Sequence, residues 1–323
     1  MNRRRFLQLT GAATAAPMLC STVRAQAYPT RSIRLVVGFP PGGGTDAVAR
    51  LIAQSLSPRL GQQIIVENRP GAGTNLATEA VVRAAPDGYT LLFVGSPQAI
   101  NATLYDKLGY SLMRDIAPVA GVARGTYVMV VNPSLPAKTV PEFISYAKAN
   151  PGKVNMASAG IGTPPHVAGE LFKMMTGIDM LHVPYRGDTP ALTDLLGGRV
   201  HLYFGSLGGA IEHIKAGKLH ALAVTAARRS EALPDVPVLG DFVPGYEASG
   251  FWGIGAPMTT PADIIEKLSK DIDASLADPD LSARLAQLGA TVFPLSPVAF
   301  GQFLTAETDK WGKAVKSAAI KPE

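Results

Sequence analysis

The sequence predicts an α/β protein with mainly parallel sheets, divided into two lobes joined by two crossing segments. Three observations carry this. Short β-rich runs alternate with stretches at helical spacing along the chain after residue 27, the pattern of a sheet buried between helix layers. The 296 residues that remain after a removable N-terminal segment make a large load for one hydrophobic core. Two extended, glycine-bearing runs, Gly125 to Asn132 and Ser249 to Pro257, suit passages between lobes. If both cross, the first lobe is discontinuous, 28–125 with 250–323, and the second is 126–249.

The chain opens on Arg3, Arg4 and Arg5, continues through a mildly apolar stretch from Phe6 to Val23, and reaches Ala25-Gln26-Ala27, a small-x-small pattern that signal peptidase accepts. Adjacent arginines before Phe6-Leu7 resemble a twin-arginine export signal; an ordinary secretory signal with an extra arginine fits the same residues. Gly11, Thr14, Pro17 and Ser21 leave the stretch too weakly apolar for a permanent anchor. Leu19 and Pro17 fit poorly ahead of a lipidated Cys20. Cleavage after about Ala27 removes four arginines and lowers the formal net charge from +5 to +1. It also removes Cys20, the single cysteine, so the mature chain has no disulfide framework and no thiolate metal site. The basic character is therefore a targeting property. No basic stripe interleaved with aromatics argues for nucleic acid, and no later stretch reaches the ~20 apolar residues of a membrane span. With 47% hydrophobic and 17% charged residues the composition is that of a packed protein.

Ile33 to Val37 reads as a strand, and Val48, Leu51, Ile52 and Leu56 then recur at helical spacing. Ile64 to Val66, Leu91 to Val94, Val128 to Val131 and Val154 to Ala157 continue the strand series. Leu181 to Val183, Leu202 to Phe204 and Leu222 to Val224 complete it. Thr139-Val140-Pro141-Glu142 is a capping box with proline in the first helical turn. Thr260-Pro261-Ala262-Asp263 repeats the device ahead of the apolar stripe Ile264, Leu268, Ile272 and Leu276.

Glycine marks the places where chemistry could sit. Gly38-Phe39-Pro40-Pro41-Gly42-Gly43-Gly44-Thr45-Asp46 follows a strand and opens a helix. Bare backbone and a helix start suit an anion; a tight turn with Thr45 as N-cap fits the same residues. Ala157-Ser158-Ala159-Gly160-Ile161-Gly162-Thr163-Pro164-Pro165-His166 repeats the grammar, with Thr163 as N-cap and Pro164 as first helical residue. Tyr185-Arg186-Gly187-Asp188-Thr189-Pro190 is a third such turn. In open α/β sheets ligands bind beyond the carboxyl ends of the strands, where these turns lie. No nucleotide motif is complete: Gly42 to Thr45 lacks the Lys-Ser/Thr of a phosphate loop, and Gly71-Ala72-Gly73-Thr74-Asn75-Leu76 fails at its third glycine. Neither Ser158 nor Ser206 sits in a nucleophile elbow. The histidines have no metal spacing, and no cofactor is expected. His166 suits either an anion or its own turn, His182 reads as structural, and Arg186 suits a ligand carboxylate or a salt bridge.

Taken in order, several motifs resemble one family, the tripartite tricarboxylate transporter substrate-binding receptors, also called Bug receptors. They are Pro41-Gly42-Gly43-Gly44-Thr45-Asp46, Val66-Glu67-Asn68-Arg69-Pro70-Gly71-Ala72-Gly73, Pro86-Asp87-Gly88-Tyr89-Thr90 and Ala147-Lys148-Ala149-Asn150-Pro151-Gly152, followed by His182-Val183-Pro184-Tyr185-Arg186-Gly187, Gly217-Lys218-Leu219 leading to Ala221-Leu222-Ala223-Val224-Thr225, and Leu233-Pro234-Asp235-Val236-Pro237. The resemblance implies a periplasmic, monomeric receptor with a type II-like periplasmic binding protein fold and a hinge of two crossing strands. It implies capture of a small organic carboxylate, through backbone amides and ordered water, for the membrane subunits of a tripartite transporter. Carried over by position, it implies Phe39, Gly42, Gly43, Thr45, Asp46 and Ser96 in the first lobe. In the second it implies Ser158, Gly160, Gly162, Thr163 and His166, with Tyr185 at the rim. Two positions depart: Gly205 stands where many relatives carry aspartate, which weakens an amino-acid cargo, and Thr74 stands where many carry glycine. The competing expectation is an enzyme acting on small carboxylates with His166 or Asp46 as acid–base.

Overall fold

The computed structural model describes residues 28–317 and 319–322. The expected export segment 1–27, its cleavage site and Cys20 lie outside the described residues.

The first half of the fold alternates β1 (Ile33–Val37), α1 (Gly44–Leu60), β2 (Ile64–Asn68), α2 (Asn75–Val82), β3 (Thr90–Gly95), α3 (Ser96–Leu104) and the short α4 (Leu112–Asp115). The chain then runs through β4 (Ile116–Val131), a strand of 16 residues. The second half contains α5 (Val140–Ala149), β5 (Asn155–Ser158), α6 (Pro164–Thr176), β6 (Leu181–Pro184), α7 (Asp188–Leu196), β7 (Leu202–Ser206), α8 (Leu207–Lys215) and β8 (His220–Val224). The chain returns through β9 (Ser249–Pro257) to α9 (Ala262–Leu276), α10 (Pro279–Gln287), β10 (Ala290–Leu295) and α11 (Pro297–Ser317).

The strand order is β2-β1-β3-β9-β4-β7-β5-β6, with β8 and β10 also paired to β4. Strand β4 is the shared member: it pairs with β9 from Ile116 to Thr126 and with β7 from Tyr127 to Val131. One continuous strand thus serves both lobes. The expectation of mainly parallel sheets needs correction. The outer strands are parallel, β1 with β2 and β3, and β5 with β6 and β7. The strands around the crossing, β4 with β7, β8, β9 and β10 and β3 with β9, are antiparallel. Parallel neighbours need a helical crossover connection, which the outer strands have. Strand β9 arrives from the opposite lobe and runs back against its neighbours.

The crossing strands pack closely because glycine lets rings lie on them. A Cβ on Gly125 would sit 2.3 Å from the Trp252 ring, and one on Gly253 would sit 2.1 Å from the Phe300 ring. Apolar layers cover both faces of the sheet. Leu35, Ile52, Leu56, Leu91 and Leu268 fill the space under α1 and α9. A second cluster continues across the crossing, from Leu92 and Ile100 through Met129 to Phe172 and Phe204. Helix starts follow the sequence unevenly. Thr139 accepts from the Glu142 amide at 3.3 Å, and the Glu142 carboxylate accepts from the Lys138 amide at 2.7 Å, an N-terminal clamp on α5. Thr260 does not cap α9: its hydroxyl is buried with no hydrogen-bond partner among the described residues, and Pro261 holds the boundary.

Candidate functional site

The starts of five helices meet between the lobes. Thr45 of α1 and Ser96 and Pro97 of α3 come from one side, with Phe39 and the crossing-strand residues Phe251 and Trp252. Ala159, Pro164 and Pro165 before and in α6, Asp188 of α7 and Ser206 come from the other, with Tyr127 of β4 between them. The cavity they line is ≈30 Å³, room for about one water. The lobes are therefore shut on each other. A larger depression of ≈820 Å³ runs beside α1 and β2, lined by Arg50, Gln54 and Ile65 among others. It is built from one lobe alone and takes in no helix start.

The first glycine turn is shaped by Asp46. Its buried carboxylate accepts from the Gly42 amide at 3.0 Å, Arg50 Nε at 2.9 Å and Asn68 Nδ2 at 2.8 Å. Asn68 also donates to the Phe39 carbonyl at 3.0 Å. Burial pushes the Asp46 carboxyl up, but these hydrogen bonds outweigh it and hold it below the usual carboxylate range. Asp46 is thus a positioning group that folds the loop over itself. Asp46→Ala is expected to cost about 2 kcal/mol in urea unfolding at pH 7, because it strands the Gly42 amide and a buried network; a loss below ~0.5 kcal/mol would sink that role. The N-cap of α1 is Gly43 rather than Thr45, and it supplies no side-chain cap. The first-turn amides have no intrahelical partners and face the cleft, where the Gly44 amide donates to the Asp188 carboxylate. The Thr45 hydroxyl accepts from Trp252 Nε1 at 3.2 Å, and Ser96 Oγ from the Phe251 amide at 3.2 Å. Both hydroxyls so tie the α1 and α3 starts to the returning strand.

The second glycine turn is largely occupied with itself. Ser158 Oγ lies 2.6 Å from His182 Nε2 and accepts from the Gly160 amide at 3.1 Å. Thr163 donates to the Gly160 carbonyl at 2.6 Å, and the Gly162 amide donates to His166 Nδ1 at 3.0 Å. The His166 and His182 rings stack with centroids 3.7 Å apart. Burial, the charge of His182 and Lys173 push His166 down to about 3. Burial and Lys173 push His182 down to about 4. Both are neutral at pH 7. Pro164 and Pro165 occupy the first two positions of α6 and have no N–H. This helix start presents proline rings where amide donors were expected. Tyr185 donates to Asp194 at 2.8 Å, beside Arg199, which binds the other Asp194 oxygen at 2.7 Å.

Of the residues expected from sequence, Phe39, Thr45 and Ser96 line the cleft itself. Gly42 and Gly43 stand against Thr189 and Asp188 of the facing lobe: a Cβ on them would lie 4.0 and 3.6 Å away. Gly160, Gly162, Thr163, Ser158 and His166 build the second turn, and Asp46 builds the first. At Gly205 the Tyr203 ring fills the side-chain space, 2.0 Å from where a Cβ would stand. The acid of that corner comes from Asp188 instead, which accepts from the Tyr203 hydroxyl and, at 3.0 Å, from Ser206 Oγ. Sequence reasoning missed Asp188, Ser206, Tyr127, Pro97, Phe251 and Trp252 as cleft residues. Asp188 lies inside the third strand-to-helix turn, and Phe251-Trp252 inside a crossing run, which are the available signals.

A two-lobed α/β fold whose helix starts close on one interlobe cleft defines a solute-binding receptor of the periplasmic binding protein type. The model of the tripartite tricarboxylate transporter family receptor matches residues 48–320, and the chain belongs to that family. It is 36% identical to the protein BugT of Bordetella pertussis, over 99% of each chain. Among solved structures, a Rhodopseudomonas palustris protein with adipate is 36% identical with a TM-score of 0.89, over 92% of this chain and 100% of that one. MatC from Rhodopseudomonas palustris, with bound malate, is 33% identical with a TM-score of 0.84, over 89% of this chain and 100% of that one. These relatives are receptors, so the enzymatic alternative is set aside. The geometry agrees: Asp46 is spent on Gly42, Arg50 and Asn68, and His166 on Gly162.

Proposed function

We propose that this chain is an exported receptor that captures a small carboxylate between its lobes. It then passes the cargo to the membrane subunits of a tripartite tricarboxylate-type transporter. The observation that carries the reading is the start of α1, which has no side-chain cap from its own N-cap residue and already holds a carboxylate of the second lobe, Asp188, on the Gly44 amide. A helix start of this kind suits an anion without a basic side chain, and among the described residues no lysine or arginine lines the cleft. The adipate and malate held by two relatives support the ligand class. Export rests on the arginine-led segment before Ala27. Among the described residues no helix is long and apolar enough to cross a membrane.

The cavity of ≈30 Å³ is too small for such a cargo, so the lobes must part to admit it. Residues 28–125 with 250–323 and residues 126–249 are the two bodies, turning about β4 and β9. Thermal unfolding of protein that has been denatured and refolded, to remove carried-over cargo, tests this across di- and tricarboxylates. A true cargo at 100 times Kd stabilises the fold by about 2.7 kcal/mol and is recovered unchanged. If no carboxylate raises the melting temperature, the reading fails.

A further inference from the structure

We propose that Asp188 is the specificity-determining residue of the cleft, selecting cargo that offers a hydroxyl or ammonium hydrogen beside its carboxylate over the unsubstituted acid. The inference rests on the carboxylate reading above and deepens it.

Asp188 opens α7 and is the one carboxylate among the described residues lining the cleft. Its two oxygens are held from behind, Oδ1 by the hydroxyl of the fully buried Tyr203 and Oδ2 by Ser206 Oγ at 3.0 Å. The carboxylate is therefore fixed in place. The Gly44 amide of α1 is a third donor, which still leaves spare acceptor capacity, since an ionised carboxylate offers about four lone-pair sites. Among the described residues no lysine, arginine or histidine forms an ion pair with it, unlike Asp46 with Arg50 or Asp194 with Arg199. The opposing wall is the first glycine turn. A Cβ on Gly43 would lie 3.6 Å from Asp188 Oδ2, and the Gly44 amide donates to the same carboxylate, so a carboxylate gripped by the amides of this helix start has Asp188 as its neighbour.

That neighbour discriminates. The amides of a helix start accept any carboxylate and do not report what is attached to it. A fixed acceptor facing them repels a second oxygen lone pair and rewards a hydrogen. The discrimination is asymmetric, because a site built around a polar partner rejects the analogue that lacks it. Burial pushes the Asp188 carboxyl up, against the pull of Tyr203 and Ser206, so the selection is read at pH 8, where the ionised form is favoured.

Calorimetric titration of the refolded protein with matched pairs tests the proposal: succinate against malate and aspartate, glutarate against 2-hydroxyglutarate, propionate against lactate. At pH 8 the donor-bearing member of a bound pair is expected to bind about tenfold or more tightly. In Asp188→Asn the ratio is expected to fall to within about threefold, with the unsubstituted acid gaining affinity. Wild-type protein that binds both members alike overturns the proposal, as does an Asp188→Asn protein that keeps the wild-type preference. The wild-type comparison stands by itself if the variant fails to fold. If no acid in any pair binds, the carboxylate reading fails and this inference falls with it; donor-blind binding sinks this inference alone.

Discussion

Replacing Gly44 with valine is expected to cut carboxylate affinity at least a hundredfold while leaving the unliganded fold nearly as stable as wild type. Gly44 is the first residue of α1 and stands where the lobes touch. A Cβ there would meet Ser206 Oγ at 2.6 Å and Ser206 Cβ at 3.0 Å. The hydroxyl can turn aside for one methyl group, but the branched side chain of valine then presses on Ser206 Cβ and on the start of α8. Within its own lobe position 44 has ordinary helical backbone, so the side chain does no harm once the lobes part. The strain falls on the closed form alone, and the cost of closure becomes a cost of binding. A hundredfold loss corresponds to about 2.7 kcal/mol, within the range for overpacking a tight contact. Calorimetry with the best carboxylate and solution scattering with and without it decide the matter. The variant should keep the larger radius when ligand is added. Binding within about threefold of wild type would remove closure at Gly44 from the mechanism.

Much of the architecture is legible in the residues alone, and the failures have physical causes. Strands with branched or aromatic runs, such as Leu91 to Val94 and Leu202 to Phe204, announce themselves through local composition. The first half of β4 does not. Ile116-Ala117-Pro118-Val119-Ala120-Gly121 offers small residues and a proline, which argue against a strand. The proline is tolerated because the register with β9 shifts between Pro118 and Ala120, where a bulge relaxes the need for a ladder hydrogen bond. Strand β10 hides in the same way, with Pro294 inside the register shift between Val292 and Leu295. Thr74 is a different case. It holds φ +83, a conformation that favours glycine, so threonine stands there against the preference of its own backbone.

The cleft divides along the same line. Glycine turns are local and legible, as is the pair Pro164-Pro165, whose missing amides follow from residue type alone. The Asp188 site is not, because Tyr203 and Ser206 reach it from 15 and 18 residues away. The tie from Trp252 to Thr45 spans 207 residues. Each of these pairs exists only once its own lobe is folded, and no periodicity in one segment encodes its partner in another.

Acid will weaken this protein earlier than its carboxylates require, through the stacked histidines. In the unfolded chain each imidazole takes a proton near pH 6.5. In the fold His166 is pushed down to about 3 and His182 to about 4, burial being the first cause for both. Both folded values are depressed, so between pH 6.5 and about 4 the unfolded chain holds protons that the native one does not, and stability falls as the pH falls. Between pH 7 and pH 5 the pair is expected to withdraw about 4 kcal/mol. Asp188, raised by burial, works in the opposite sense, gaining a proton in the native state first as the pH falls. The groups facing the stack include Lys173 and Glu170, whose side chains pair at 3.0 Å, and the uncharged Ser158. Among the described residues neither ring has a carboxylate within hydrogen-bond distance to welcome the charge: Glu170 stands 3.9 Å from His166 Nε2. The double variant His166→Asn with His182→Gln keeps an oxygen acceptor for the Gly162 amide and for Ser158, and it removes both titrating rings. Urea unfolding of wild type and variant at pH 7, 6 and 5 separates the contributions. The wild-type midpoint should drop steeply over that range and the variant's should stay nearly level. Parallel declines would place the acid sensitivity elsewhere and leave the stack a packing device only.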